Sequence, residues 1–275
     1  MLTHSLLCLG AASLVAATKV LVPLYSWNED CWPELQQAAA ANPSVEWVLI
    51  VNPNSGPTSD VTDPSLYCVP TLREKVPRST IVGYVRTDYG KTPKAEVSAN
   101  VATYASWKGI KVGTMGKSAQ LDGIFFDETA DLTTKALENL YSGYSATTRK
   151  AFPGASTIVM NPGTKVNARM YKYADFVVYF ETYWKDWSRS QLPAAQYLNK
   201  TVIMIHSIPS SNSTLLSTLK QFVPAVGATY VTDLSIDQTD VYASFGPDWQ
   251  TFVRDVALLN AGTGATNAAA PARLC

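Results

Sequence analysis

A short apolar run, a polar turn and then a stretch with helical spacing recur along this chain. The apolar runs cover residues 19–27, 45–51, 80–86, 121–127, 156–161, 176–181, 201–206 and 228–233. Helical spacing follows at 34–41, 94–108, 132–152, 215–226 and 249–260. Between the second and third runs lies a longer, turn-rich connection that carries Asp60 and Cys68. The runs are rich in β-branched and aromatic residues and almost uninterrupted in hydrophobicity. Strands buried on both faces read that way, which points to a parallel sheet. Strands alternating with helices build βαβ units. Eight of them in one chain of this length predict an α/β fold, a single-domain (β/α)8 TIM barrel. The competing doubly wound sheet lacks the glycine fingerprint of its nucleotide-binding forms.

Composition narrows the chemistry. Lys and Arg total 22 and Asp and Glu total 22, so the formal charge is zero. Nucleic acid is excluded as an expected partner, because phosphate binding needs a basic surplus. Residues 1–17 read as a signal peptide, with an apolar stretch from Leu6 to Val15 and small residues at Ala16 and Ala17. No later run approaches the ~20 apolar residues that spanning a bilayer needs. The expectation is a secreted protein, extracellular or at the cell surface, monomeric and without a membrane span. Its folded domain covers 18–261, and 262–275 form a flexible Ala/Gly-rich tail.

Removal of the leader leaves Cys31, Cys68 and Cys275. In an oxidising compartment Cys31–Cys68 is the expected disulfide, with Cys275 unpaired in the tail. His206 would be the one mature histidine, so zinc is not expected, and no GxSxG, GxGxxG or P-loop pattern occurs. No cofactor is implied. Sequons at Asn199 and Asn212 fit a secreted glycoprotein.

Barrels of this kind carry chemistry at the carboxyl ends of their strands. Here the runs end at Trp27, Asn52, Arg86 or Asp88, Asp127, Asn161, Glu181, His206 and Asp233. Asn52 and Asn161 each precede a proline and so also fit ordinary turns. Asp127 and Glu181 are different, because each closes an apolar run where a carboxylate risks costly desolvation. Two carboxylates facing one cavity are the minimum equipment for glycoside hydrolysis. Phe180, Tyr183 and Trp184 flank Glu181 and would raise its pKa, which suits a general acid/base. Asp127 would then be the nucleophile. Asp122 and Glu128 compete for that role, and strand alternation puts both on the face opposite Asp127. Asn161 could bond a carboxylate or a sugar. Tyr25, Trp27, Tyr84, Tyr89, Tyr183 and Trp184 could stack on sugar rings. Substrate-binding candidates are Tyr84, Tyr89, Asn52, Trp184, Asp233 and His206, the last equally readable as a core histidine.

Four motifs in order then point to a family: VNPNSGP at 51–57, GYVRTDYG at 83–90, DGIFFDE at 122–128 and NPG at 161–163. Together they resemble the spherulin-4 family of secreted glycoside hydrolases over about residues 20–258. The resemblance implies a (β/α)8 barrel that cleaves galactosaminogalactan, a fungal exopolysaccharide, at internal α-1,4-linked N-acetylgalactosamine with retention. The family's functional Asp, Asn and Glu map by motif onto Asp127, Asn161 and Glu181. The alternative is a non-catalytic cell-surface or spore-coat protein that binds polysaccharide. A weaker third reading is a similar glycosidase acting on a neutral glycan.

Overall fold

The computed structural model describes residues 17–113, 116–154 and 156–262. The expected leader (apart from Ala17) and the tail beyond Gly262, with Cys275, lie outside the described residues.

Eight parallel strands close into a barrel, as the sequence pattern predicts. They are β1 (Lys19–Leu24), β2 (Trp47–Val51), β3 (Ser79–Arg86), β4 (Gly123–Asp127), β5 (Thr157–Met160), β6 (Phe176–Tyr183), β7 (Thr201–His206) and β8 (Ala228–Val231). Each strand pairs with its sequence neighbour, and β8 closes on β1 through Lys19–Ala228 and Val20–Thr229. β2, β7 and β8 are buried at every position, which is why their sequences show no polar alternation.

The helices are α1 (Pro33–Ala41), α2 (Pro64–Tyr67), α3 (Val69–Lys75), α4 (Lys94–Ser106), α5 (Lys135–Ala151), α6 (Asn212–Leu219) and α7 (Trp249–Asn260). α2 and α3 fill what the sequence shows as a turn-rich connection. Their start signals are nonetheless present: Asp63 accepts from Ser65 N–H at 2.8 Å, and Pro64 and Pro70 occupy first-turn positions where no backbone donor is needed. α6 stops at Leu219 rather than continuing to 226. The chain turns through Val223–Pro224, and proline has no N–H to extend a helix. Short 3₁₀ segments cross between β5, β6 and β7: Ala168–Lys172 in the first connection and Trp184–Asp186, Arg189–Gln191 and Ala195–Lys200 in the second. A two-stranded hairpin joins Lys111–Val112 to Lys117–Ser118 before β4.

Cys31 and Cys68 form the expected disulfide. It ties the loop after β1 to the junction of α2 and α3, so it fastens two neighbouring loops at the carboxyl side of the barrel. No helix among the described residues is long and apolar enough to cross a membrane.

Candidate active site

β3 and β4 run in register, with Tyr84 opposite Phe125 and Arg86 opposite Asp127. Gly83 faces outward, and a Cβ there would fall 2.6 Å from the Tyr104 ring of α4. Only glycine permits that close approach of helix to strand. The next residue, Tyr84, therefore points into the barrel, where its hydroxyl donates to Asp127 Oδ2 at 2.5 Å.

Asn161 follows β5, and its backbone N–H is held by Phe126 O at 2.8 Å. Its Nδ2 donates to Asp127 Oδ1 at 2.8 Å and to Glu181 Oε2 at 2.7 Å. Gly163 N–H donates to its Oδ1 at 2.8 Å, which fixes the amide orientation. Glu181 lies in β6, with its N–H on Gly163 O at 3.0 Å. Its Oε1 accepts from the hydroxyl of Tyr242, which the loop between β8 and α7 brings across the mouth. The result is one hydrogen-bonded chain: Tyr84, Asp127, Asn161, Glu181, Tyr242. The two bonds from one nitrogen bring one oxygen of each acid to within about 5.5 Å of the other.

Among the described residues, neither acid forms a salt bridge. Burial pushes both carboxyls above their ordinary range. For Asp127 this is opposed by Tyr84, the Glu128 backbone N–H and Asn161 and reinforced by the charge of Glu128. For Glu181 it is opposed by Tyr242 and Asn161 and reinforced by the charge of Asp127. Asp127 thus has three donors favouring its ionised form and Glu181 has two.

The other predicted residues divide. Asp122 lies at the opposite end of β4, 2.6 Å from Arg73 and accepting from Ile81 N–H at 2.7 Å. Glu128 turns outward to Arg86 at 2.8 Å. Neither competes with Asp127. The raised state of Glu181 does not come from its sequence neighbours. Phe180 packs edge-on to Trp187 at 5.0 Å on the helix side. The Trp184 indole donates to Thr218 in α6 at 3.0 Å, which ties it to the helix layer. Tyr183 stacks edge-on with His206 at 4.5 Å and bonds Asp237 at 2.9 Å. His206 is buried, with Nδ1 on Ser207 Oγ at 2.9 Å, and burial lowers its pKa, so it belongs to this neutral cluster. Asp233 receives Asp248 N–H at 3.4 Å and lies against Gly246, a loop clamp rather than a group on the acids. Asn52 Oδ1 is enclosed without a partner.

Tyr89 is 54% exposed and Trp27 64%; with Val61 and Ile236 they are the exposed large hydrophobics among the described residues. All four sit in loops after β8, β1, β2 and β3, strands that are consecutive around the barrel. Asn199 and Asn212 are both exposed. The described residues hold no group of three His, Cys, Asp or Glu able to bind a metal. Tyr242 escapes sequence reading because it lies in an aperiodic stretch with no strand run beside it.

Fold and site define a class: a parallel (β/α)8 barrel with a half-buried carboxylate pair, free of salt bridges among the described residues, joined by one amide at its carboxyl mouth. Within that class the chain belongs to the family described as Spherulation-specific family 4, whose profile matches residues 19–256. It is 31% identical to Spherulin-4 of Physarum polycephalum over 229 residues, which is 78% of this chain and 63% of that relative's length. Among solved structures it is similar to Aspergillus clavatus Sph3 in complex with GalNAc, at a TM-score of 0.76 and 26% identity, covering 88% of this chain and 98% of that one. A chitinase domain of Pyrococcus furiosus shares the fold at a TM-score of 0.53 and 10% identity, covering 90% and 97%.

Proposed function

We propose that this chain is a secreted glycoside hydrolase that cuts α-1,4-linked N-acetylgalactosamine within a galactosaminogalactan-type exopolysaccharide, with retention. The observation that carries the reading is the single Asn161 nitrogen shared by Asp127 and Glu181. It spaces two carboxylates for attack and protonation on one sugar. The likeness to Sph3, whose structure holds GalNAc, supports the choice of sugar. The exposed Trp27 and Tyr89 beside the mouth support a polymer rather than a small glycoside. Exposed sequons and the disulfide support secretion.

The roles follow from the donors. Asp127, with three, is the group held ionised and serves as nucleophile. Glu181, with two, is the group that keeps a proton; each acid has one negative neighbour, Glu128 for Asp127 and Asp127 for Glu181. Glu181 gives its proton to the glycosidic oxygen while Asp127 bonds to the anomeric carbon and the leaving sugar departs. Glu181, now a carboxylate, takes a proton from water, whose oxygen displaces Asp127.

The test is purified full-length protein on acetylated and de-acetylated galactosamine polymer. Released oligosaccharides of unchanged anomeric configuration are expected. Glu181→Gln and Asp127→Asn should each lower turnover by roughly 10³-fold or more with melting temperature preserved. Near-wild-type turnover in both variants would overturn the two-carboxylate mechanism. Polymer retained without release would leave a binding protein.

A further inference from the structure

We infer that Tyr25 is the substrate-facing hydroxyl of this site, donating to a neutral oxygen of the sugar seated between Asp127 and Glu181. The inference rests on the reading of the site as a sugar site and adds a contact residue to it.

β1 ends at Leu24, and the next residue, Tyr25, leans over the mouth. Its ring is wedged edge-on between Tyr84, with centroids 5.5 Å apart, and Tyr242, at 5.6 Å. Those two tyrosines spend their hydroxyls on the acids. Asn161 occupies one oxygen of each carboxylate and a tyrosine the other, so all four carboxylate oxygens already hold a donor. Tyr25 lies between these pairs, yet its hydroxyl makes no hydrogen bond to any described residue. Its hydroxyl is not among the described buried polar atoms left without a partner, so it is reachable from solvent, and a ligand oxygen would replace water there. The two tyrosines meet its ring in T-shaped contacts, and the hydroxyl is the polar group it brings to a ligand.

The partner must be an acceptor from outside. Burial, with the charges of Asp127 and Glu181 nearby, keeps the phenol protonated, so it remains a donor through the working pH range. The matching chemistry is an uncharged sugar oxygen: a hydroxyl, the ring oxygen or an acetamido carbonyl. An anionic sugar would meet two carboxylates with no cation to offset them.

Tyr25→Phe removes one oxygen and keeps both ring contacts, so melting temperature should stay within about 2 °C of wild type. The expected loss is about 5–30-fold in kcat/KM on N-acetylgalactosamine polymer. A matching loss in affinity for an N-acetylgalactosamine oligosaccharide is expected when Asp127→Asn is compared with Asp127→Asn/Tyr25→Phe by calorimetry. Wild-type turnover with Tyr25→Phe unchanged in both readouts overturns this inference and leaves the hydrolase reading standing. No wild-type turnover, but a weakened oligosaccharide affinity in Tyr25→Phe, supports the inference and removes the hydrolase reading. Absence of both turnover and binding overturns both.

Discussion

The two ends of the barrel treat the same side chains in opposite ways, and β4 shows it on one strand. Asp122 precedes the strand and Asp127 ends it. Asp122 meets the guanidinium of Arg73, whereas Asp127 meets a phenol, an amide and a backbone N–H. The pattern extends around the amino end. Glu46, before β2, is bonded by Lys19 and Arg78, and Asp175, before β6, by Arg149. The Lys19 bond leads in lowering the Glu46 pKa, while burial raises Asp127 and Glu181. Backbone strain divides the same way. Apart from Arg78, the described non-glycine residues with positive φ all follow strands: Cys31, Trp32, Ser55, Asp88, Tyr89, Glu128 and Ser207. Cations hold the amino rim for stability. At the carboxyl rim the acid pair meets neutral donors, Arg86 pairs with Glu128 and Asp88 outside it, and strained loops shape the mouth for a ligand.

The sharpest test of this contrast is one substitution at each end of β4. Asp127→Asn should cost roughly 10³-fold or more in turnover. Asp122→Asn should leave turnover near wild type and lower the melting temperature by about 2–4 °C, close to 1 kcal/mol. Equal activity losses would erase the distinction. Next in size, Cys31→Ser with Cys68→Ser should lower stability by about 2–4 kcal/mol in thermal or denaturant unfolding.

Stability against pH should also separate the ends. Asp127 and Glu181, raised in the folded state, contribute stability below their unfolded pKa that is lost as pH rises through the folded value. Glu46, lowered, contributes stability above its unfolded pKa that is lost as pH falls through the folded value. Melting curves of Asp127→Asn/Glu181→Gln should therefore lose the decline on the rising side and keep the acid-side loss.

The tyrosines refine the assignment further. Tyr84→Phe removes a donor that favours ionised Asp127, so the acidic limb of the kcat/KM profile should move to higher pH. Tyr242→Phe does the same for Glu181 and should move the alkaline limb up. Each should cost about tenfold in turnover, and crossed effects would exchange the two acids' roles. The smallest expected change is at the rim, where Trp27→Ala or Tyr89→Ala should raise KM on long polymer by about 3–10-fold and leave short substrates unaffected.

Much of this was legible in the residues. All eight strands announce themselves as apolar runs, buried at every position in β2, β7 and β8, and β7 spans residues 201–206 as the pattern predicts. Asp127, Asn161 and Glu181 stand out by their places at run ends, and the coordinates bring them together. The aromatic surroundings of Glu181 were less legible. Phe180, one residue before Glu181, is sent to the other face by strand alternation, and Trp184 lies past the strand in a 3₁₀ turn that carries it toward α6. Adjacency in sequence suggested otherwise. Tyr242 and α2–α3 were hidden for different reasons. The tyrosine arrives on a loop without periodicity, and the two helices are too short to show any.

Asn161 and Asn52 share one more property through their neighbours. Each is followed by a proline, Pro162 and Pro53. Asparagine ages into aspartate by closing its amide onto the next backbone nitrogen, a reaction that needs a hydrogen there, and proline has none. At position 161 that lesion would insert a third negative charge between two acids already short of compensation. The dipeptide therefore guards the bridging amide against chemical decay.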